Sequence, residues 1–173
     1  MALIIEDGSI VAGANSFVSD SQFSAWALLA GYVLPHTESE RESALYKAFL
    51  FINQTYDNRL AGYRIDPVQT GIFPRSSVYA YGFLVPSNSI PEDIKLAQMS
   101  AAVSIGLGAD TNSIKDSGDL SSFTVVGVYS ETYSESGGTP TIPEMPAVTR
   151  YLSAYMKSSG GISLSKDNMG FLG

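Results

Sequence analysis

The amino-acid sequence predicts a mainly α fold of the α+β class: a small bundle of about four helices, a short β strand or hairpin, a long ordered loop and extended termini. Three observations indicate this class: capping-box spacings, apolar residues that recur with helical periodicity, and one β-branched and aromatic run. The chain of 173 residues suits one domain, which we place at residues 1–157, with a C-terminal tail at 158–173.

The first helix is predicted at residues 19–31, after an extended segment over residues 1–18. Ser19 and Gln22 have the spacing of a capping box, in which each side chain bonds a free backbone N–H of the first turn. Gly31 supplies the stop signal at the other end. The predicted buried face consists of Phe23, Trp26, Ala27 and Ala30.

The second helix is predicted at residues 38–58 and has the clearest periodicity in the chain. Either Thr37 with Glu40 or Ser39 with Glu42 can cap it. Further apolar residues widen the buried stripe, which favours a helix at the centre of the core. The predicted face consists of Leu45, Ala48, Phe49, Ile52 and Tyr56.

The next segment, residues 63–90, is rich in Pro, Gly, Ser and Tyr and lacks sustained periodicity. We therefore predict a long ordered loop, with short strands around residues 78–84. A third helix follows at residues 91–106, with Pro91 at its first position, where the missing N–H has no cost. Its predicted face consists of Ile94, Ala97, Ala101 and Ile105.

The last elements are a strand or bent hairpin, predicted from the run between Phe123 and Tyr133, and a short fourth helix. Two polar linkers flank the run. The fourth helix is predicted at residues 146–157 and opens on Pro146. Its predicted face consists of Val148, Tyr151, Leu152 and Tyr155.

The tail at residues 158–173 is rich in Ser and Gly but carries spaced apolar side chains. Apolar anchors in a polar segment are typical of a segment that docks on a partner. The residues predicted to contact a partner are Ile162, Leu164, Met169, Phe171 and Leu172 of the tail, and Arg64 and Arg75 of the long loop.

The chain is acidic and poor in charge: the formal net charge is −7, the pI is about 4.5, and 16% of the residues are charged. A protein that grips phosphates must supply Lys and Arg, and only ten such residues are present. The composition therefore weighs against tight autonomous binding of nucleic acid. The small charged share favours large contacts with other protein chains.

Residues for catalysis are scarce. One histidine, His36, and the absence of cysteine exclude a Ser-His-Asp set of the usual kind and the common metal-ligand sets. We therefore expect no enzyme, no metal and no cofactor. Clustered carboxylates leave a carboxylate-based enzyme as an alternative, although each cluster has a simpler role at a turn or helix start. The clusters are Glu6-Asp7, the set Glu38, Glu40 and Glu42, and Glu92-Asp93.

Targeting segments are also not expected. The N-terminus has no basic segment followed by an apolar one, so we predict no signal peptide. No stretch approaches the roughly 18 apolar residues of a membrane span.

The ten tyrosines and eight phenylalanines can be interpreted in two ways. They could form a stacking platform for single-stranded nucleic acid, which also requires a basic groove. Alternatively, they fill the core and subunit interfaces, where Tyr is enriched. The second interpretation is favoured because cations near the aromatic stretch are few, namely Arg59, Arg64, Arg75 and Lys95.

Several short segments occur in order over residues 3 to about 155. They are Glu6-Asp7-Gly8, residues 14–19, the capped second helix up to Tyr56 and Arg59, Phe73-Pro74-Arg75, Ile90-Pro91 with Ile94-Lys95 and Ala97-Gln98, and Val126-Gly127-Val128 with Glu131-Thr132-Tyr133. Together they resemble a phage protein family labelled DnaT-like single-stranded-DNA-binding. The chain departs from that family in a loop at 63–73 that is poor in Arg and in a longer tail after residue 158.

The resemblance implies a structural subunit of a phage head-tail connector: a dodecameric adaptor ring below the portal that continues the DNA channel and joins the tail. The implied partners are further copies of the chain, the portal protein, tail or neck proteins, and DNA that passes through the lumen without sequence-specific binding. The implied location is the head-tail junction of the virion, after synthesis in the host cytoplasm. The alternative function is that of a single-stranded-DNA-binding accessory protein of phage.

Overall fold

A computed structural model describes residues 2–109, 123–125, 129–131 and 145–157. Within these ranges the fold is α+β and mainly helical, as the sequence predicts. The helices are α1 (Asp20–Ala30), α2 (Glu38–Tyr56), α3 (Glu92–Gly106) and α4 (Pro146–Leu152). The strands are β1 (Tyr63–Arg64), β2 (Arg75–Ser76), β3 (Tyr79–Ala80), β4 (Phe83–Leu84), β5 (Phe123–Val125) and β6 (Tyr129–Glu131).

Helix α1 begins and ends at its predicted caps. The Ser19 hydroxyl accepts the Gln22 N–H, the Gln22 side chain accepts the Ser19 N–H, and Gly31 ends the helix in the left-handed region at φ 74°. Phe23 and Ala27 are buried as predicted. The prediction for Ala30 is wrong, because α1 covers only a corner of the bundle and its last turn faces solvent.

Helix α2 contributes a wide buried face to the core, although α3 rather than α2 is the central helix. Thr37 and Glu40 form the cap, rather than Ser39 and Glu42, and every residue of the predicted face is buried. After Tyr56 the helix tightens into a 3₁₀ turn over Asp57–Arg59. The Tyr56 hydroxyl lies 2.8 Å from the Thr149 hydroxyl and so joins α2 to α4.

Helices α3 and α4 differ slightly from their predicted bounds. Pro91 is the cap of α3 rather than its first helical residue: its backbone is extended, and its carbonyl accepts the Ile94 N–H. Helix α4 ends at Leu152 and continues as a 3₁₀ turn over Ser153–Tyr155. The chain then straightens because Met156 forms a bridge with Leu60.

The core consists of α3 packed between α2 and α4. Helices α2 and α3 run antiparallel, since Pro35 before α2 lies against Gly106 at the end of α3. The bundle therefore has two distinct ends. One contains the end of α1, the start of α2 and the end of α3, whereas the other contains the end of α2, the start of α3 and strands β1 to β4.

The six strands of the described ranges form three two-stranded antiparallel sheets. The β5–β6 pair confirms the predicted hairpin, with Phe123 opposite Glu131 and Val125 opposite Tyr129. The β3–β4 pair confirms the short strands predicted around residues 78–84.

The N-terminal segment is extended as predicted and is held by Glu6, which is almost completely buried. The Glu6 carboxylate accepts the N–H groups of Gly8, Ile10 and Val11 at 2.8 to 3.0 Å. The carboxylate thus organises the turn that follows it, which is the simpler of the two roles considered for this cluster.

Candidate functional site

Five large apolar side chains are exposed together on the short strands at one end of the bundle. They belong to Tyr63 of β1, to Tyr79, Phe83 and Leu84 of the β3–β4 hairpin, and to Tyr81 in its turn; we call this surface the hairpin face. The Phe83 side chain is 77% exposed. Grouped exposed aromatic residues mark binding surfaces, because isolated apolar residues are common at protein surfaces whereas contiguous patches are not.

The β3–β4 turn is tight and has a specific anchor. Tyr81 and Gly82 both have positive φ, at 54° and 83°, which is the backbone of a two-residue hairpin turn. A tyrosine in this conformation is strained. The Tyr81 hydroxyl donates to Asp93 in the first turn of α3 at 2.9 Å, and this bond holds the turn against the bundle.

A second tyrosine shares the same anchor. The Tyr155 hydroxyl also donates to Asp93 at 2.9 Å, and the Tyr81 and Tyr155 rings meet edge to face at 6.4 Å between centroids. Burial and then the hydrogen bond to Asp93 raise the pKa of Tyr155. Both phenols therefore stay protonated at neutral pH and act as donors that fix the hairpin on α3.

The position of Tyr63 on the hairpin face depends on the backbone of the preceding residue, Gly62. The backbone of Gly62 has φ +64°, and a Cβ atom there would lie 2.1 Å from the Ser76 carbonyl oxygen, so the position requires glycine. The Tyr63 hydroxyl lies 3.1 Å from the Ser77 hydroxyl, two residues before Tyr79. Strand β1 thereby lies close to β3, where Tyr79 and its partner Leu84 project from one side of the hairpin and Phe83 projects from the other.

An arginine cluster lies behind β1 and β2 and consists of Asp57, Arg64 and Arg75. The Arg75 side chain is only 5% exposed; it donates to Asp57 at 2.8 Å and to the carbonyls of Ala61 and Gly62 at 2.9 and 3.1 Å. Arg64 pairs with the same carboxylate at 3.1 Å. The cluster fixes the path of the chain on both sides of β1.

The buried side chain of Gln69 holds the long loop through hydrogen bonds to the loop backbone. Its amide group donates to the carbonyls of Gly71 and Pro74, and its oxygen accepts the N–H groups of Ile65 and Asp66. Since the loop backbone finds its partners in buried side chains, the loop is ordered without long strands, as predicted.

The predicted partner-contact residues have different outcomes. Arg64 and Arg75 both have internal roles in the arginine cluster, and their contact with a partner stays a prediction. Tail residues Ile162, Leu164, Met169, Phe171 and Leu172 lie outside the described residues.

The aromatic residues divide between the two interpretations. Phe17, Phe23, Phe49, Phe51, Phe73, Tyr56 and Tyr155 are buried, as the core interpretation predicts. The aromatic residues of the hairpin face are exposed instead. Only a weak signal in the sequence points to them, namely the Tyr81-Gly82 pair between short apolar segments. The bonds to Asp93 have no signal in the sequence.

Two exposed cations, Arg59 and Lys157, lie beside the hairpin face. The Lys157 N–H donates to the Arg59 carbonyl, and the Lys157 ammonium donates to the Asn58 carbonyl, each at 2.8 Å. Together with the bridge between Leu60 and Met156, these bonds place both cations next to the segment that leads into β1.

A second exposed apolar surface occupies the other end of the bundle. It consists of Leu28 and Leu29 at the end of α1, Val33 in the following connection and Leu107 just after α3; we call it the corner face. Leu28 and Leu29 are 81% and 89% exposed. Glu38 and Glu40 are exposed in the first turn of α2, which begins at the same end of the bundle.

Four carboxylates of the predicted clusters serve structural roles in the part of the chain that the structure describes. Glu6 orders a turn, Glu40 caps α2, Glu92 pairs with Lys95, and Asp93 anchors two tyrosines. In the described ranges there is no group of three or more potential metal-ligating side chains. None of the described helices combines the length and apolar character needed to cross a membrane.

Ionisation of Asp57 is expected to make the fold acid-sensitive. Partial burial opposes its charge, but hydrogen bonds from Arg64 and Arg75 outweigh burial and hold the pKa of Asp57 below its ordinary value. The stability that the ionised Asp57 contributes is present above about pH 4 and is lost as pH falls through its lowered pKa. Urea titrations at neutral and acid pH should therefore show a smaller acid loss in Asp57→Asn than in the unmodified chain; parallel losses would contradict this role.

Comparison with known proteins places the chain in a family. The family model described as "Putative DnaT-like ssDNA binding protein" matches residues 1–166. No curated protein and no solved structure matches the chain.

Proposed function

Since the chain belongs to the family of DnaT-like single-stranded-DNA-binding proteins, we propose that it binds single-stranded DNA and that the hairpin face makes the contact. The exposed aromatic rings of Tyr63, Tyr79, Tyr81 and Phe83 carry this proposal. Every base has a flat π face, and stacking on an aromatic side chain contributes about 1–3 kcal/mol per base. Duplex DNA keeps its bases stacked on one another, so it is not a ligand for such a surface.

The charges around the hairpin face indicate how much base stacking and phosphate contacts each contribute to the binding energy. The net charge is −7, and Arg64 and Arg75 already serve Asp57, so they have little capacity left for phosphates. Among the described residues, Arg59 and Lys157 are exposed and lie next to the segment that leads into β1. Stacking therefore supplies most of the binding energy, and few counterions are released on binding.

A shallow salt dependence is the expected signature. Two phosphate contacts give a slope of log K against log salt of about −1.4, from roughly −0.7 per contact on a single strand. Fluorescence anisotropy of a labelled oligothymidine, titrated at several salt concentrations, measures this slope. A duplex of the same length serves as the control ligand. Absence of binding at low salt and high protein concentration would remove the proposed function, whereas a much steeper slope would reject stacking as its main source.

A second candidate function is that of a subunit in a phage head-tail connector ring that contacts the portal and the tail or neck proteins. One observation favours it: large apolar surfaces are exposed at both ends of the bundle, as expected of a component that meets protein on two sides. The ring would lie at the head-tail junction of the virion, and DNA would pass through its lumen without sequence-specific contacts. Neither candidate requires catalysis or a cofactor.

Purified particles test this second candidate. We expect the chain in the particle and symmetric density for it at the head-tail junction in electron micrographs. Removal of residues 158–173, which carry the predicted anchors, should reduce its incorporation. Particles that join tails normally without the chain would reject this candidate and leave single-stranded-DNA binding unaffected.

A further inference from the structure

The described part of the chain ends beside the hairpin face. Tyr155 lies three residues before the tail at 158–173, and its ring meets the Tyr81 ring edge to face at 6.4 Å between centroids. Lys157 is held at the same end by its bonds to the segment that leads into β1. The tail therefore begins at the end of the bundle that carries the exposed aromatic residues.

The β3–β4 hairpin has an open edge along β4. Strand β3 packs on both β4 and the 3₁₀ turn after α4, whereas in the described ranges the extensive contacts of β4 are with β3 alone. In a two-residue hairpin the pair next to the turn exchanges ladder hydrogen bonds, and the following pair, Tyr79 and Leu84, does not. The next bond, from the Val85 N–H to the Val78 carbonyl, fits this alternation. The N–H and carbonyl of Leu84 therefore point to the open edge.

One side of this edge is apolar. Tyr79 and Leu84 project from the same side of the hairpin and are 66% and 58% exposed. A two-stranded hairpin is only marginally stable by itself, and a third strand strengthens it. A strand that extends the row formed by Tyr79 and Leu84 must present apolar side chains at alternate positions, because successive side chains point to opposite sides.

The tail carries this alternation in the run Ile162-Ser163-Leu164-Ser165. Residues 158–161 are Ser and Gly, a composition typical of linkers, and they can span up to about 14 Å at roughly 3.3–3.6 Å per residue. A segment tethered by a short linker reaches an effective concentration on the order of millimolar at its site. The tail of the same chain is therefore favoured as the occupant over a second copy or another protein.

Charge does not oppose this occupant. The tail contains one cation and one anion, Lys166 and Asp167. The described charged side chains at the hairpin end have partners within the molecule, so a nearly neutral segment meets few unpaired charges. These partners join Asp57 to Arg64 and Arg75, Glu92 to Lys95, Asp93 to Tyr81 and Tyr155, Asp66 to the Val68 N–H, Lys157 to the Asn58 carbonyl, and Arg59 to the Tyr56 ring.

We propose that the tail of the same chain docks on the hairpin face as a third strand along β4, with Ile162 and Leu164 in line with Leu84. Single-stranded DNA and the tail then compete for the exposed ring of Tyr79, so docking of the tail weakens DNA binding. The competition rests on the proposed function, whereas the docking does not.

The docking can be measured without DNA. The chain contains no cysteine, so Ser165→Cys allows a nitroxide label at a single position. In the isotope-labelled chain the nitroxide should broaden the amide NMR signals of Tyr79 and Leu84. Mixing spin-labelled chain with isotope-labelled chain that lacks the nitroxide should give no broadening. Broadening in that mixture, or none within one chain, would overturn docking of the chain's own tail.

Two matched double variants of the tail test the strand assignment. Ile162→Ser with Leu164→Ser should remove most of the broadening at Leu84, because the third strand loses its apolar side. Met169→Ser with Phe171→Ser makes a similar chemical change outside the paired run and should leave the broadening as it was. Equal or reversed effects of the two variants would overturn the assignment of residues 162–165 to the third strand.

The same two variants test the competition in the full chain. Ile162→Ser with Leu164→Ser should bind labelled oligothymidine about tenfold more tightly, because DNA no longer displaces a tethered competitor, and Met169→Ser with Phe171→Ser should bind as the unmodified chain does. Equal affinities, or broadening that persists when oligothymidine is bound, would overturn the competition. If the broadening is observed but no form of the chain binds DNA, then the proposed function and the competition fail and the docking stands.

Discussion

Replacing Gln98 by Leu is expected to lower the free energy of unfolding by about 3 kcal/mol, because three buried hydrogen bonds of the Gln98 side chain are lost. The Gln98 side chain is fully buried in α3; its oxygen accepts the Phe17 N–H at 2.8 Å, and its amide donates to the Ser16 hydroxyl and the Leu45 carbonyl at 2.9 Å. Leucine fills a similar volume but leaves the Phe17 N–H without this acceptor. Urea denaturation followed by circular dichroism measures the loss.

The matched control for this change is Gln54→Leu. Gln54 is exposed on the neighbouring helix α2, so the same substitution there should change the stability by no more than about 0.5 kcal/mol. If Gln98→Leu also falls within that range, then the Gln98 side chain does not hold the N-terminal segment to the bundle as the three bonds indicate.

Replacing Arg75 by Met is the second change with a large expected effect, about 3 kcal/mol of lost stability. The side chain is 5% exposed, and its removal leaves the carbonyls of Ala61 and Gly62 without their donor. Because these residues lead into β1, the hairpin face should also lose order. Oligothymidine binding should therefore weaken together with stability, which denaturation and anisotropy measure on the same preparation.

Arg150→Met on α4 is the matched control, since Arg150 is exposed and carries the same charge. It should leave both stability and DNA binding near those of the unmodified chain. A double-mutant cycle of Arg75→Met with Asp57→Asn isolates the ion pair from the carbonyl bonds. Additive losses in that cycle would contradict a direct coupling between Arg75 and Asp57.

The helices were predictable because their signals are local. The Ser19 and Thr37 capping boxes and the periodic face of α2 depend on residues three or four positions apart, and the structure confirms them. Where sequence reasoning failed, the cause was tertiary. Ala30 has helical spacing but lies beyond the part of α1 that the bundle covers.

The candidate site could not be predicted to the same extent. Composition identified aromatic residues in residues 63–90, but not which of them are buried. Phe73 packs edge to face on Tyr155, whereas Phe83, ten residues later, is exposed. The difference depends on contacts between residues far apart in the chain, which no local pattern encodes.

The sequence by itself determined the helical class, the helix starts and the scarcity of groups for catalysis, because these follow from short-range spacing and composition. Only the tertiary structure decided that Arg75 turns inward to Asp57 and that Asp93 fixes Tyr81. Both bonds join segments that the fold brings together: the first keeps Arg75 inside the protein, and the second holds the turn of the β3–β4 hairpin against α3. The aromatic residues of the hairpin face can therefore serve as a binding surface.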